Sequence, residues 1–231
     1  MVGQSVSPGI CAGGHSGTTS TAREGSGSGM VPDRALLDAM RDRVMTAAVP
    51  GVRLVAVDGP SGAGKSTLAA PLAAMFDAPL IELGDFVSWG DFAGWWPRFE
   101  DQVLQPLLRG QDAVYQRRDW TGDEFGTALS EWRTVPWAPV VVVEGVTSTR
   151  AAVQDRLACR IWVEAPADER LRRGIARDGE SHRGLWDEWM REEAAFFEED
   201  RTRERADFVV STAGAAPVSY THLTLPTILR V

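Results

Sequence analysis

The stretch that decides the fold is Gly59-Pro-Ser-Gly-Ala-Gly-Lys-Ser-Thr67, which follows the apolar run Arg53-Leu-Val-Ala-Val-Asp58. It holds three glycines, one lysine and three hydroxyl side chains in nine residues. A loop that only reversed the chain would need one glycine, and would gain nothing from a lysine at a fixed offset. The apolar run predicts a buried strand, and residues 64–75 predict a helix. The stretch therefore joins a strand to a helix.

This spacing matches G-x-x-x-x-G-K-[ST], the phosphate-binding P-loop. Its glycines allow backbone conformations that residues with a Cβ rarely adopt, so that amides can point at phosphate oxygens. Lys65 supplies a charge for the β- and γ-phosphates of ATP, and Ser66 offers a hydroxyl to Mg²⁺. Thr67 contacts the α-phosphate or caps the helix. The predicted ATP-binding residues are Gly59, Ser61, Gly62, Ala63, Gly64, Lys65, Ser66 and Thr67.

Further apolar runs alternate with segments of helical spacing. Strands are predicted at residues 80–83, 140–143, 160–163 and 208–210, and helices at 99–108, 169–175 and 185–204. Strands that alternate with helices imply βαβ units, a parallel sheet and helices on both faces. We therefore predict an α/β protein, a three-layer αβα P-loop NTPase fold with a mainly parallel five-stranded sheet and a helical lid.

Composition changes at both ends of the chain. Residues 1–30 are rich in Gly and Ser and are predicted to be disordered. Residues 31–212 form the predicted P-loop domain. Residues 213–231 lose their charge abruptly and fit no further βα unit, so we interpret them as a non-native-looking or disordered tail, with a genuine edge strand as the alternative.

Bulk composition excludes several classes of partner. The formal charge of −8 and a pI of about 5.0 argue against a nucleic-acid-binding surface. Two cysteines and three scattered histidines make neither a disulfide framework nor a histidine metal site. No stretch approaches the roughly 18 apolar residues of a membrane span. We expect a cytoplasmic protein without membrane or nucleic-acid partners. The oligomeric state is left open, a homodimer being one option.

An apolar strand at residues 140–143 ends in Glu144-Gly145. Ligands bind at the carboxyl edge of open α/β sheets, and a P-loop site needs a carboxylate there opposite its hydroxyl. We interpret Glu144 as an Mg²⁺ ligand, either directly or through water. The alternative is an ordinary strand-end acid.

The second predicted strand is followed by Gly84-Asp85-Phe86. Asp85 is the candidate base for an attacking hydroxyl and a candidate ligand of Mg²⁺ and substrate, the alternative being a turn-forming aspartate. Asp119 and Trp120 are candidate substrate contacts, because a planar group could stack on the indole. The alternative is packing, since the chain has nine tryptophans.

A cluster of arginines lies in the segment Arg170-Leu-Arg-Arg-Gly-Ile-Ala-Arg177. Arg173 and Arg177 share one helical face and could neutralise charge on the transferring group while a lid excludes water. The alternative is a solvated charged face. We assign both arginines to catalysis together with Lys65 and Asp85.

Four pieces in this order carry a resemblance: GPSGAGKST, GDF, VVVVEG and RLRRGIARD. The chain resembles the uridine kinase-like branch of the P-loop nucleoside kinases over roughly residues 50–212. The resemblance implies transfer of the γ-phosphoryl group of ATP to the 5′-hydroxyl of uridine or cytidine. It also implies that Arg173 and Arg177 lie over the phosphates. On the acceptor side the chain departs from the family, with Gly84 at the position of its acid and Val87 at that of a tyrosine.

Three functions remain open at this point. The leading one is an ATP- and Mg²⁺-dependent small-molecule kinase with a nucleoside acceptor. The second is a kinase for another hydroxylated metabolite. The third is a catalytically weak ATP-binding switch protein.

Overall fold

The structure is a computed structural model that describes residues 33–92 and 94–213, and the backbone of residues 219–222. The predicted disordered segment, residues 1–30, lies outside the described residues. The strands are β1 (Arg53–Asp58), β2 (Leu80–Glu82), β3 (Ala113–Arg118), β4 (Leu129–Val135), β5 (Val140–Glu144), β6 (Leu157–Glu164), β7 (Phe208–Ser211) and β8 (Ser219–His222).

The α-helices of the described residues are α1 (Arg34–Thr46), α2 (Lys65–Phe76), α3 (Trp96–Phe99), α4 (Gln105–Leu108), α5 (Ala167–Asp178) and α6 (Arg183–Asp200). A π-helical turn, Glu100–Leu104, joins α3 to α4. Short 3₁₀ segments cover Leu83–Asp85, Ala151–Arg156, Glu180–His182 and Thr202–Arg205. Within the described ranges, no helix combines the length and the apolar character that a membrane crossing requires.

The main sheet has the order β2-β5-β1-β6-β7-β8. Its first five strands pair in parallel, which confirms the predicted α/β architecture. Each crossover returns the chain to the same end of the sheet. The carboxyl ends of β1, β2 and β5 therefore lie side by side, with Val57 opposite Glu144 and Glu82 opposite Glu144 in the register.

Alternate residues of the central strands build two separate cores. Val55 and Val57 of β1 pack with α1 and α2, together with Val142 of β5. Leu54 and Ala56 of β1 face the other way, toward α3 and the β3–β4 hairpin. Because side chains alternate along a strand, a strand that is apolar at every position must be covered on both faces. The three-layer arrangement follows from this requirement.

The described part of the tail is a short strand at the edge of the main sheet. Ser219–His222 pairs with β7 in antiparallel register, with Phe208 opposite His222. An uncovered outer edge of β7 would leave a row of backbone groups without partners. These four residues therefore form an antiparallel strand beside the five parallel ones in the described sheet, and the interpretation of residues 213–231 as a whole stays a prediction. Residues 214–218 and 223–231 lie outside the described residues.

A difference from the sequence-based expectation is the antiparallel hairpin of β3 and β4, in a region expected to be a substrate-contacting loop. Its inner face buries Ala113, Tyr115 and Val135, while Trp132 on the outer face is 62% exposed. The hairpin packs on the 3₁₀ segment Leu83–Asp85 after β2. It therefore forms one wall beside the carboxyl edge of the main sheet.

Candidate functional site

The P-loop backbone has the conformation that its glycines predict. Gly59, Gly62 and Gly64 have φ angles of +134°, +76° and +96°. A Cβ at Gly59 would lie 2.0 Å from the carbonyl oxygen of Val163, so another residue could not fit there without moving β6. Gly64 is the N-cap of α2 and no side chain caps it, which leaves the first amides of the helix available to an anion.

Lys65, Ser66 and Glu144 meet at the mouth of this loop. Ser66 Oγ donates to Glu144 Oε1 over 3.1 Å, and Lys65 Nζ donates to the carbonyl oxygen of Pro60 over 3.1 Å. Burial lowers the pKa of Lys65, opposed chiefly by the negative charge of Glu144. Burial also raises the pKa of Glu144, opposed by Lys65 and by the Ser66 hydroxyl. The three groups form one electrostatic unit at the end of β1 and β5.

A large cavity of about 710 Å³ opens from this unit. The P-loop forms one side, the loop after β2 and the β3–β4 connection form another, and α5 and α6 close it. Of the predicted site residues, ten line this cavity: Ser61, Gly62, Gly64, Lys65, Ser66, Thr67, Trp120, Glu144, Arg173 and Arg177. Gly59, Ala63, Asp85 and Asp119 are not among its lining residues. Ala63 is fully buried, and its amide donates to the carbonyl oxygen of Pro60.

Both lid arginines face the cavity from α5, but each has protein partners. Arg173 donates to the carbonyl oxygen of Gly62 over 3.1 Å, and to the hydroxyl and carbonyl oxygens of Thr212. Arg177 forms a two-bond ion pair with Asp178, and the hydrogen bonds that it donates to Asp178 raise the pKa of Arg177. Arg173 therefore braces the P-loop, whereas Arg177 presents its charge at the cavity wall.

Asp85 has a different environment from the one expected of a base or metal ligand. Its side chain is 5% exposed, and its carboxylate accepts from Tyr115 Oη at 3.0 Å and from Arg117 Nε at 2.9 Å. Arg133 lies 3.3 Å from the second oxygen. Since both oxygens are engaged and the residue does not line the cavity, this geometry does not favour Asp85 as a proton acceptor or an Mg²⁺ ligand.

Asp119 and Trp120 begin the β3–β4 connection. Asp119 accepts from the amide of Gly122 at 2.9 Å, as an aspartate in a turn does. Trp120 is 41% exposed, lines the cavity, and donates from Nε1 to the carbonyl oxygen of Gly84 over 2.8 Å. The structure thus places the indole at the cavity wall that the β3–β4 connection forms, and the carboxylate of Asp119 in the adjacent turn.

Aromatic rings dominate the wall of the cavity that is formed by the loop after β2, the β3–β4 connection and α6. Trp89 lies with its ring centroid 6.5 Å from that of Trp120 and 5.6 Å from that of Trp189, and it stacks on His182. Glu124, whose side chain is 68% exposed, lies 3.9 Å from His182 Nε2 and also lines the cavity. Sequence reasoning did not single out Glu124 or His182, because an acid in a loop and a histidine after a helix carry no distinctive spacing.

Two buried carboxylates that sequence reasoning did not assign hold the P-loop in place. Asp58 accepts from the amides of Gly59, Thr147 and Thr149 and from the Thr149 hydroxyl, all within 2.8 Å. Burial raises the pKa of Asp58, and these donors oppose the rise. The sequence shows an acid directly before the P-loop, and this position could have indicated Asp58. Asp58 links the start of the P-loop to the loop that follows Glu144.

Glu193 of α6 is the second of these carboxylates, with a relative exposure of 1%. It accepts from the Ser61 amide at 2.9 Å and pairs with Arg170 at 2.5 Å. Arg170 also donates to the Ser61 carbonyl oxygen, and Trp189 Nε1 donates to Ser61 Oγ over 2.8 Å. Every polar atom of Ser61 is therefore bonded to α5 or α6, so this amide holds the loop to the helices rather than facing the cavity.

The pair of Ser66 and Glu144 suits a magnesium ion. Mg²⁺ prefers oxygen ligands, keeps several waters, and in nucleotide sites uses only one or two protein oxygens together with phosphates. Across residues 33–92 and 94–213, no group of three or more His, Cys, Asp or Glu side chains could hold a metal ion by itself. A hydroxyl and a carboxylate 3.1 Å apart, beside a phosphate-binding loop, fit an ion that arrives with a nucleotide.

Comparisons with known proteins bear on the fold. No protein-family model matches the chain, and neither does any curated protein. A solved structure of a possible uridine kinase from Bacillus stearothermophilus matches with a TM-score of 0.57 and 18% identity, over 76% of this chain and 97% of that one. D-glycerate 3-kinase from Cryptococcus neoformans matches with a TM-score of 0.50 and 13% identity, over 82% and 96%. The chain has the fold of the P-loop kinases.

A P-loop kinase fold explains why the site residues meet where they do. Parallel strands bring their carboxyl ends to one edge, where ligands of open α/β sheets bind. Here that edge carries the P-loop after β1 and Glu144 at the end of β5. At these sequence identities the likeness establishes the fold and leaves activity and acceptor to be argued from the site.

Proposed function

We propose that the chain is an ATP-dependent small-molecule kinase that transfers the γ-phosphoryl group to a hydroxyl, with a nucleoside such as uridine or cytidine as the first acceptor to test. The observation that carries this proposal is the unit of Lys65, Ser66 and Glu144, which opens into a cavity with room for a nucleotide and a second small molecule. The partners are then ATP, Mg²⁺ and that acceptor.

Each residue of the unit has a distinct task in this proposal. The amides at the start of α2 bind phosphate oxygens, and Lys65 holds the β- and γ-phosphates. Ser66 and Glu144 would hold Mg²⁺, which when bound neutralises charge on the phosphates. Arg177 contributes a positive charge at the opposite wall, and Arg173 keeps the P-loop carbonyl of Gly62 in place. Phosphoryl transfer needs mainly such positioning and charge stabilisation, since its transition state is loose.

A different hydroxylated metabolite is the second candidate acceptor. The observation in its favour is the wall formed by Trp89, Trp120 and Trp189, because the indole N–H groups of the latter two already donate to protein oxygens. Such a wall offers few hydrogen bonds to the edge of a pyrimidine. An acceptor panel must therefore include sugars, vitamins and amino alcohols beside nucleosides.

Lys65 is the only lysine in the chain, which permits a sharp test of the nucleotide site. An acyl-phosphate derivative of ATP transfers its acyl group to a lysine amine beside the bound phosphates. We expect mass spectrometry to find the label on Lys65, and excess Mg·ATP to prevent the labelling. Labelling that ATP does not block would contradict the site.

Turnover is then measured as ADP release from Mg·ATP with and without each acceptor. We expect one acceptor class to stimulate release, and Lys65→Ala to lower it by about 10²-fold or more while far-ultraviolet circular dichroism stays unchanged. Near-normal turnover in Lys65→Ala would refute the proposal. Labelling of Lys65 without stimulation by any acceptor would favour the ATP-binding switch.

A further inference from the structure

Asp85 is the buried centre of an ionic cluster just after β2. Its carboxylate accepts hydrogen bonds from Tyr115 Oη, Arg117 and Arg133, which are three residues of the β3–β4 hairpin. The bond to Asp85 raises the pKa of Arg117, and burial raises the pKa of Tyr115. The cluster therefore consists of a carboxyl group, two guanidinium groups and a phenol that join one loop to two strands.

The main chain of the same loop is held by further donors from outside it. Arg98 of α3 donates to the carbonyl oxygen of Asp85 over 2.9 Å, and Arg118 donates to that of Phe86 over 3.0 Å. Trp120 donates to the carbonyl oxygen of Gly84. Three consecutive carbonyls are thus bonded to side chains, and the loop takes its shape from these partners.

Charge in this region is unbalanced without Asp85. Arg117 and Arg133 are each about one third to two fifths exposed, and both point at the one buried carboxylate. Arg117 has a second acid, Glu131, but it lies 3.8 Å away and is 77% exposed. Removing one partner of a buried ion pair leaves the other charge uncompensated, which favours a shift of the element that carries it.

The elements joined by Asp85 are the ones that form the acceptor side of the cavity. The loop after β2 contributes Gly84, Val87 and Trp89, and the β3–β4 connection contributes Trp120 and Glu124. Among the described residues, neither element donates a hydrogen bond to the P-loop, and the ring contact of Trp89 with Trp189 is an indirect link to it. A change at Asp85 should therefore alter mainly the acceptor wall and have little effect on the nucleotide half.

We propose that Asp85 is a positioning residue that sets the acceptor specificity of the site by locking the β3–β4 hairpin to the loop after β2. This inference rests on the proposed kinase function and deepens it. The acid near the end of β2 acts through Arg117, Arg133 and Tyr115 on Trp120 and Glu124, and it exchanges no proton with the acceptor.

Kinetics separate this role from that of a base. In Asp85→Asn we expect the acceptor KM to rise by about 10-fold or more, with kcat at saturating acceptor within a few-fold of the original chain. The pH profile of kcat should stay unchanged, and ATP should block Lys65 labelling at the same concentration. Glu131→Gln, which removes the exposed acid near Arg117, is the matched control and should leave all values unchanged.

The opposite result would overturn the proposal. A fall in kcat of about 10²-fold or more, with an unchanged acceptor KM and a lost acidic limb in the pH profile, would make Asp85 the base. If Asp85→Asn does not fold, Tyr115→Phe and Arg117→Gln can be measured instead. Each removes one contact to the carboxylate, and we expect a smaller rise in the acceptor KM.

A measurement that does not depend on turnover distinguishes this proposal from the proposed function. We expect amide hydrogen exchange in residues 84–89 and 113–135 to become faster in Asp85→Asn than in Glu131→Gln, with no change in the P-loop. If no acceptor stimulates ADP release, the kinase proposal fails while this result still supports the positioning role. Unchanged exchange in both segments would overturn the positioning role whatever the activity.

Discussion

Two carboxylates end neighbouring strands at the site, and their partners give them different tasks. Glu144 accepts one side-chain hydrogen bond, from Ser66, and lines the cavity. Asp58 is fully buried and accepts from four donors of Gly59, Thr147 and Thr149. A carboxylate with a single protein donor remains available to a cation, whereas one with four donors is a structural link. At the scale of single residues, the number of hydrogen-bond donors to a carboxylate determines whether it is available to a ligand or holds the protein structure together.

The structural role of Asp58 predicts the effect of Asp58→Asn. An asparagine would turn an N–H group toward backbone amides that need an acceptor, so we expect the free energy of unfolding in urea to fall by about 2–3 kcal/mol. Asp42→Asn is the matched control, because the Asp42 side chain is 73% exposed and, among the described residues, its ion pair is with its exposed neighbour Arg41. Equal unfolding curves for the two variants would show that the link through Asp58 contributes little.

Helix α6 contacts both the P-loop and the aromatic wall of the cavity. Trp186, Trp189 and Glu193 are its buried residues, at spacings of three and four that put them on one face. Trp189 contacts both the aromatic wall and Ser61, and Glu193 holds the Ser61 amide. The helix therefore couples the position of the P-loop to the position of the aromatic wall of the cavity.

This coupling predicts the effect of Glu193→Gln. The change leaves the charge of Arg170, a side chain only 12% exposed, without its partner. We expect the free energy of unfolding to fall by about 3 kcal/mol, and ATP to protect Lys65 from labelling less effectively. The exposed neighbour Glu192 supplies the control, and Glu192→Gln should change neither value. Protection by ATP at the original concentration in Glu193→Gln would argue against the coupling.

At the scale of the whole molecule, the strand order shows which parts of the chain lie near the site. The site lies on β1, β2 and β5, while β8 lies at the opposite edge of the sheet. Between them, Thr212 directly after β7 reaches the site: its hydroxyl donates to the carbonyl oxygen of Ala63 over 2.8 Å, and it accepts from Arg173. The chain up to Thr212 is therefore connected to the P-loop.

Two truncations test this boundary. A chain that ends at Ala213 lacks β8 and keeps Thr212, so we expect ATP to block Lys65 labelling at the original concentration, with a lower thermal midpoint because β7 loses its edge partner. A chain that ends at Ser211 also loses the contacts to Ala63 and Arg173, and should need more ATP for the same protection. Equal ATP protection in both truncated chains would contradict the role of Thr212.

The sequence by itself determined the P-loop, the parallel strands and the acid at the end of β5. Each of these depends on local requirements: glycines where φ is positive, apolar residues at every position of a strand covered on both faces, and a carboxylate at a strand end. Arg173 and Arg177 could also be placed on one face, because helical spacing is local. These features therefore follow from residues close together in the chain.

Only the tertiary structure decided the roles of Asp85, Asp58 and Glu193. Asp85 was visible as an acid after a strand, but its arginine partners come 32 and 48 residues later, in a hairpin that the sequence did not predict. Glu193 bonds to Ser61 across 132 residues. Whether a carboxylate binds a ligand or supports a loop depends on the donors that reach it, and no local pattern specifies donors so distant in the chain.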